Sequence, residues 1–126
     1  MSTKISTANA PAAIGPYTQA IVARGMVYTS GQIALNPETG AVDGTTIAEQ
    51  THRVCKNLTA VLEAANSSME KAVKTTCFLA DMADFAAFNE VYAQYFTDKP
   101  ARSCVAVKTL PKNVLVEVEV VAETND

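Results

Sequence analysis

The chain of 126 residues reads as one α+β domain, a single mixed β-sheet with two helices packed on one face. Three observations carry this expectation. All five glycines lie in the first 44 residues, so turns and short strands are concentrated there and longer elements fill the rest. Two later stretches carry apolar residues at the three- and four-residue steps of amphipathic helices. The C-terminal runs are apolar on both strand faces, and two helices can cover only one of them, so the other face is expected to be buried against further copies of the chain.

Residues 17–24 and 26–30 are rich in β-branched and aromatic types, and Arg24-Gly25 between them has the form of a tight hairpin connection. A short leading strand can precede them. Asn36-Pro37-Glu38-Thr39-Gly40 then reads as a β-turn. From Thr46 the period changes: Ile47, Thr51, Val54/Cys55, Leu58, Val61/Leu62 and Ala65 make one buried helical stripe. Thr46 with Glu49 has the form of a capping box, and Asn66-Ser67-Ser68 is the stop. Residues 72–80 form a strand, after which Asp81 or Asp84 caps a second helix with Phe85, Phe88, Val91/Tyr92 and Tyr95/Phe96 on its apolar face. Residues 100–107 and 114–122 are strands, predicted to close as a hairpin around Leu110-Pro111-Lys112-Asn113.

Composition limits the function classes. An apolar content of 48% suits one domain, residues 1–126, with a proper core; a chain of this size buries roughly two thirds of its unfolded surface. Ten basic against 13 acidic residues give a net charge of −3, without a general pull toward phosphate backbones or anionic lipid, so neither nucleic acid nor membrane is an expected partner. The start of the chain lacks the long apolar core of a secretory signal, and no run approaches the ~20 apolar residues of a membrane span. Cys55, Cys77 and Cys104 are widely spaced, and the chain has a single histidine, a poor basis for a disulfide framework or a metal site. A cytoplasmic protein in a reducing compartment, with no metal, is expected.

The residues that demand explanation are Arg102 and Glu117, charges set within β-branched strand runs where water is partly lost and a partner is needed. Arg102 shares a strand face with Cys104, and Glu117 shares one with Glu119. A register placing Glu117 opposite Ala106 or another even-numbered residue would put Arg102 and Glu117 on one side of the sheet. A guanidinium is a planar fork for a carboxylate, and a nearby Glu can accept a proton from water and direct its oxygen at an electrophile. The pair therefore describes a site that adds water to a small carboxylate-bearing molecule, or, structurally, an ion pair at a strand edge or subunit interface.

Five segments in order, Ala13-Ile14-Gly15-Pro16-Tyr17, Thr29-Ser30-Gly31-Gln32-Ile33, Asn36-Pro37-Glu38-Thr39-Gly40, Pro100-Ala101-Arg102-Ser103-Cys104-Val105 and Val116-Glu117-Val118-Glu119, resemble the signature segments of the RidA (YjgF) family over essentially the whole chain. The resemblance implies a chorismate-mutase-like fold, a homotrimer with three sites in the clefts between subunits, and activity as a 2-iminobutanoate/2-iminopropanoate deaminase. It also implies the roles: Arg102 grips the substrate carboxylate and Glu117 holds or activates water. The Cys104 backbone N–H, the Ser30-Gly31 segment and Tyr17 complete the cleft, with Asn89 near its edge. No metal or organic cofactor is implied. Thr97-Asp98-Lys99 is a shorter connection than many relatives carry, which bears on the pocket rim.

Plainer roles stand beside these. The Cys104 thiol reads as core rather than nucleophile, His52 as a surface or packing residue, Gly31 equally as a bulge residue, and Glu119 as facing solvent or an interface. Two rival functions remain, an endoribonuclease acting as a translation inhibitor and a non-catalytic module that binds small 2-oxo acids. The first lacks a basic stripe to hold RNA.

Overall fold

Arg24 and Gly25 both take positive φ, 53° and 74°, the conformation that folds two short β-branched runs tightly back on each other. In the computed structural model, which describes residues 2–125, these runs are β2 (Ala20–Ala23) and β3 (Met26–Thr29), preceded by β1 (Ser2–Ile5). Met1 and Asp126, the ends of the predicted domain, lie outside the described residues. The chain continues through α1 (Ile47–Ala64), β4 (Ala72–Leu79), α2 (Phe85–Tyr95), β5 (Ala101–Ala106) and β6 (Val116–Glu123). This is the predicted order, leading strand included.

Helix α1 starts where expected. The Thr46 side chain accepts from the Glu49 N–H (3.2 Å), while Glu49 Oε1 accepts from the N–H groups of Thr46 (3.2 Å) and Thr45 (2.9 Å). Those bonds hold the Glu49 carboxyl below its usual range. At the other end Asn66 takes φ 60°, and the N–H groups of Asn66 and Ser67 close back on the carbonyls of Glu63 and Leu62 (3.1 and 2.8 Å). Val54, Cys55, Leu58, Val61 and Leu62 are fully buried against the sheet. Asp81, rather than Asp84, makes the side-chain cap of the second helical region, accepting from the Ala83 N–H (2.9 Å) in a short 3₁₀ turn that leads into α2. Asn36-Pro37-Glu38-Thr39-Gly40 is a turn closed by Gly40 N–H on the Asn36 carbonyl (2.8 Å).

The six strands run in the order β1-β2-β3-β6-β4-β5, antiparallel throughout except for β4 and β5. The predicted C-terminal hairpin is therefore corrected: β5 and β6 are not neighbours, because β4 lies between them. Burial explains the outcome. Val116, Val118, Val120 and Ala122 are at most 1% exposed, a surface that needs a strand on either side as well as helices above, and an edge position could not supply that. Strand β5, mostly exposed, takes the edge, where a connection through α2 delivers it parallel to β4.

This register also decides the faces. Arg102, Cys104 and Ala106 are in line with Thr75, Cys77 and Leu79, the buried helix-facing residues of β4. Glu117 lies opposite Phe78, which lies opposite Val105, an odd-numbered residue. Arg102 and Glu117 thus project from opposite faces of the sheet, and the single-face arrangement is overturned for one subunit. The face bearing Glu117 carries Tyr28 (49% exposed) and Val105 (48%) uncovered, so the apolar second face read from the strands is present.

Candidate active site

The Ser30-Gly31 segment is a strand irregularity with a purpose. Between the pairs Tyr28–Val121 and Gln32–Val118, four steps on one side match three on the other, so one extra residue bulges. Gln32 and Val118 exchange both backbone bonds (2.9 and 3.1 Å), Thr29 Oγ1 takes the Val120 N–H (3.0 Å), and Ser30 is held by its N–H on the Gln19 carbonyl (2.9 Å) and its hydroxyl on the Thr18 carbonyl (2.6 Å). The bulge brings Gly31 against Glu117. A Cβ at Gly31 would overlap the Glu117 carboxylate and lie 2.9 Å from its carboxyl carbon, so the glycine is required by close approach rather than by its backbone angles.

Glu117 is half-buried, and loss of water, with the Glu119 charge on the same face as a smaller cause, raises its pKa above the ordinary 4.5. Beside it opens a cleft of about 640 Å³ that also takes in Tyr17, Ser30 and Gly31. Ile14, Ile33 and Leu35 give it apolar lining, and Lys112 also borders it. The Ile33 and Leu35 lining is pinned from α1: buried Asn57 donates to the carbonyls of Ile33 (3.3 Å) and Leu35 (3.0 Å). A second, more open depression of about 740 Å³ shares Tyr17 and Ser30 but has no carboxylate in its lining.

On the other face, at the β5 edge, stand Arg102, Asn89 and Cys104. The guanidinium rests on the ring faces of Tyr92 and Phe85, 4.9 and 5.4 Å from their centroids, and donates to Asn89 Oδ1 at 2.7 Å. Tyr92 is itself anchored through its hydroxyl to Thr75 Oγ1 (2.7 Å). Contrary to the expectation of a partly desolvated arginine, Arg102 is exposed in the subunit. No acid neutralises it: among the described residues the sole ion pair joins Arg53 to Asp43 at 3.0 Å. Val107 donates to the Leu79 carbonyl (2.9 Å), and alternation along the strand turns the N–H groups of Ala106, Cys104 and Arg102 to the open edge. The Cys104 backbone is thus free to bind, while desolvation pushes its thiol pKa up, which fits packing rather than nucleophilic chemistry. His52 is part of α1–α2 packing, its Nδ1 2.9 Å from the Tyr95 hydroxyl.

The predicted site residues of one chain therefore fall into two groups: Tyr17, Ser30, Gly31 and Glu117 around the cleft on one face, Arg102, Asn89 and Cys104 at the β5 edge on the other. Sequence reasoning did not single out the apolar lining residues or the aromatic seat of Arg102. The Phe85/Tyr92 spacing signalled only a core stripe, and the lining residues come from separate loops with no shared pattern. Among the described residues no group of three or more His, Cys, Asp or Glu could hold a metal ion, and no helix is long and apolar enough to cross a membrane.

Comparison with known proteins agrees with the segments read above. A 2-iminobutanoate/2-iminopropanoate deaminase of Escherichia coli K12 is 47% identical over 126 residues, covering 97% of this chain and 98% of its own length. A RutC family protein of Synechocystis is 54% identical over 121 residues (94% and 93%). The crystal structure of E. coli TdcF with bound serine superposes with a TM-score of 0.92 at 41% identity, covering 98% of this chain and 99% of that one. The profile described as Endoribonuclease L-PSP matches residues 7–124, and with these relatives it shows that the chain belongs to the RidA/YjgF family.

Proposed function

We propose that the protein hydrolyses reactive enamine and imine intermediates, 2-iminobutanoate and 2-iminopropanoate, to 2-oxo acids and ammonia, in sites assembled between the subunits of a homotrimer. The observation that carries this is the division of the two groups. A carboxylate with partly lost water and an unneutralised guanidinium lie on opposite faces of one subunit, each beside open space. They can serve one substrate only if neighbouring copies meet, and the uncovered apolar face with Tyr28 and Val105 supplies a surface for that meeting. The deaminase name of the E. coli relative and the amino acid held by TdcF support the substrate class.

In this scheme Arg102 of one copy takes the substrate carboxylate in its fork, with the Cys104 N–H and Asn89 fixing orientation. Glu117 of the next copy accepts a proton from water, whose oxygen adds to the imine carbon. That proton goes to the imine nitrogen to give a carbinolamine, and a second proton passes from its hydroxyl to the nitrogen as the C–N bond breaks, so that ammonia leaves and the carbonyl forms. Water and imine are consumed, 2-oxo acid and ammonia appear, and no redox change occurs. An imine already hydrolyses in water, so positioning supplies much of the acceleration. No cofactor is part of the scheme. A cytoplasmic setting, where threonine dehydratase chemistry releases such imines, belongs to the same proposal and suits the three free thiols.

The test couples threonine dehydratase to the purified protein and follows 2-oxobutanoate. Acceleration over the uncatalysed rate is expected, and its absence removes the proposal. Light scattering should give three times the chain mass. Gly31→Ala, which pushes the Glu117 carboxylate aside at a position without positive φ, is expected to lower kcat about 10²-fold while the thermal midpoint barely moves; unchanged turnover would show that the close approach is unimportant. The endoribonuclease name of the family profile motivates a second assay. RNA cleavage that disappears in Arg102→Ala would place that activity in the same cleft.

A further inference from the structure

One buried side chain links the apolar wall of the cleft to the bulge beneath it. Gln19 is 2% exposed. Its Oε1 accepts from the Thr7 N–H (2.7 Å), and its Nε2 faces the carbonyls of Thr7 (3.1 Å), Ala10 (3.3 Å) and Pro11 (2.8 Å). Its backbone carbonyl takes the Ser30 N–H (2.9 Å), one residue before the glycine on which Glu117 lies. An amide with two N–H donors and one carbonyl is fully used by this set, and no other side chain among the described residues bonds the backbone of both Ala10 and Pro11.

The segment so held leads into Pro11, Ala12 and Ile14, which line the cleft together with Ile33 and Leu35. Ile14 is 87% exposed, an unusual place for a large apolar side chain unless something apolar sits against it. The cleft of about 640 Å³ is far larger than a methyl or ethyl substituent requires.

We propose that Gln19 is a positioning residue that sets the spacing between this apolar wall and the Glu117 carboxylate, creating a compartment for apolar substrate side chains longer than ethyl. This rests on the deaminase reading and names the substrate class that the site discriminates. Gln19 touches no reacting atom. It acts through the backbone of residues 7–11, and Ile14 is the wall that meets the side chain.

The experiment compares kcat/KM for 2-iminopropanoate and 4-methyl-2-iminopentanoate, both generated in situ by an amino acid oxidase, in wild type, Gln19→Met and Ile14→Ser. The side chains differ by three carbons, and wild type should favour the longer imine by at least about tenfold, the low end of what a single methylene provides in an apolar pocket. Both variants should bring that ratio close to one, whatever happens to absolute rates. Loss of folding lowers both rates equally and leaves the ratio alone, so the proposal is overturned by an unchanged ratio in Ile14→Ser, whose exposed position spares the fold, or by an unchanged ratio in Gln19→Met protein that still unfolds cooperatively. Calorimetric binding of pyruvate and 4-methyl-2-oxopentanoate gives a readout independent of turnover. If wild type hydrolyses neither imine, the deaminase reading fails, and the compartment still stands or falls on whether the longer 2-oxo acid binds more tightly and loses that advantage in both variants.

Discussion

Glu117→Gln is expected to reduce kcat for imine hydrolysis about 10²–10⁴-fold, the range lost with a positioned general base, while 2-oxo acid binding persists. The amide keeps the shape that rests on Gly31 but cannot accept a proton from water. Coupled turnover together with calorimetric 2-oxo acid binding checks this. Loss of both would make Glu117 a structural or binding residue, and retention of both would remove it from the chemistry. The pH profile adds a signed prediction. Glu117 works deprotonated, so activity falls as pH drops through its pKa, which burial raises and the Glu119 charge on the same face raises further. Glu119→Gln removes a like charge, stabilises the ionised form and should move the acid limb of kcat/KM to lower pH. A limb that moves upward, or stays, would mean that the two carboxylates do not interact in the assembled site.

Arg102→Ala should lower kcat/KM about 10²–10³-fold, mainly through KM, because a charge-assisted grip on the substrate carboxylate is lost. Stability should change little, since Arg102 is exposed and its aromatic seat contributes about 1 kcal/mol. The larger effect appears on mixing. Arg102→Ala subunits keep Glu117, and Glu117→Gln subunits keep Arg102, so at substrate well below KM each mutant alone is about a hundredfold or more less active than wild type, while a boundary between the two kinds holds both groups. If equal amounts are unfolded and reassembled together, each site has an even chance of receiving Glu117 from one neighbour and an even chance of receiving Arg102 from the other. About one quarter of wild-type activity should return. Persistent inactivity in mixed assemblies, verified by mass, would mean that the two groups do not share a site and would end the mechanism proposed above.

Legibility in the sequence followed the range of the forces involved. Helix α1 and both its ends were readable because Thr46, Glu49 and Asn66 act on backbone groups within a few residues, and the buried stripe repeats locally. The Arg24-Gly25 hairpin was readable for the same reason. The C-terminal hairpin failed because proximity along the chain favours pairing β5 with β6, whereas β6 gains more by being buried between β3 and β4. Gln19 and Asn57 carried no sequence signal, since each is defined by the distant carbonyls it meets.

By itself the amino-acid order determined the element sequence, the two-sided apolar strands, the family and the residues worth testing, because periodicity, caps and short motifs are local properties. Only the tertiary structure decided which face each charge occupies. Side chains alternate strictly along a strand, so the insertion of β4 between β5 and β6 and its register set Arg102 and Glu117 on opposite sides. That placement overturns the single-face arrangement that a hairpin register would have allowed, and under the proposed function it makes the two groups parts of a site completed by a neighbouring copy.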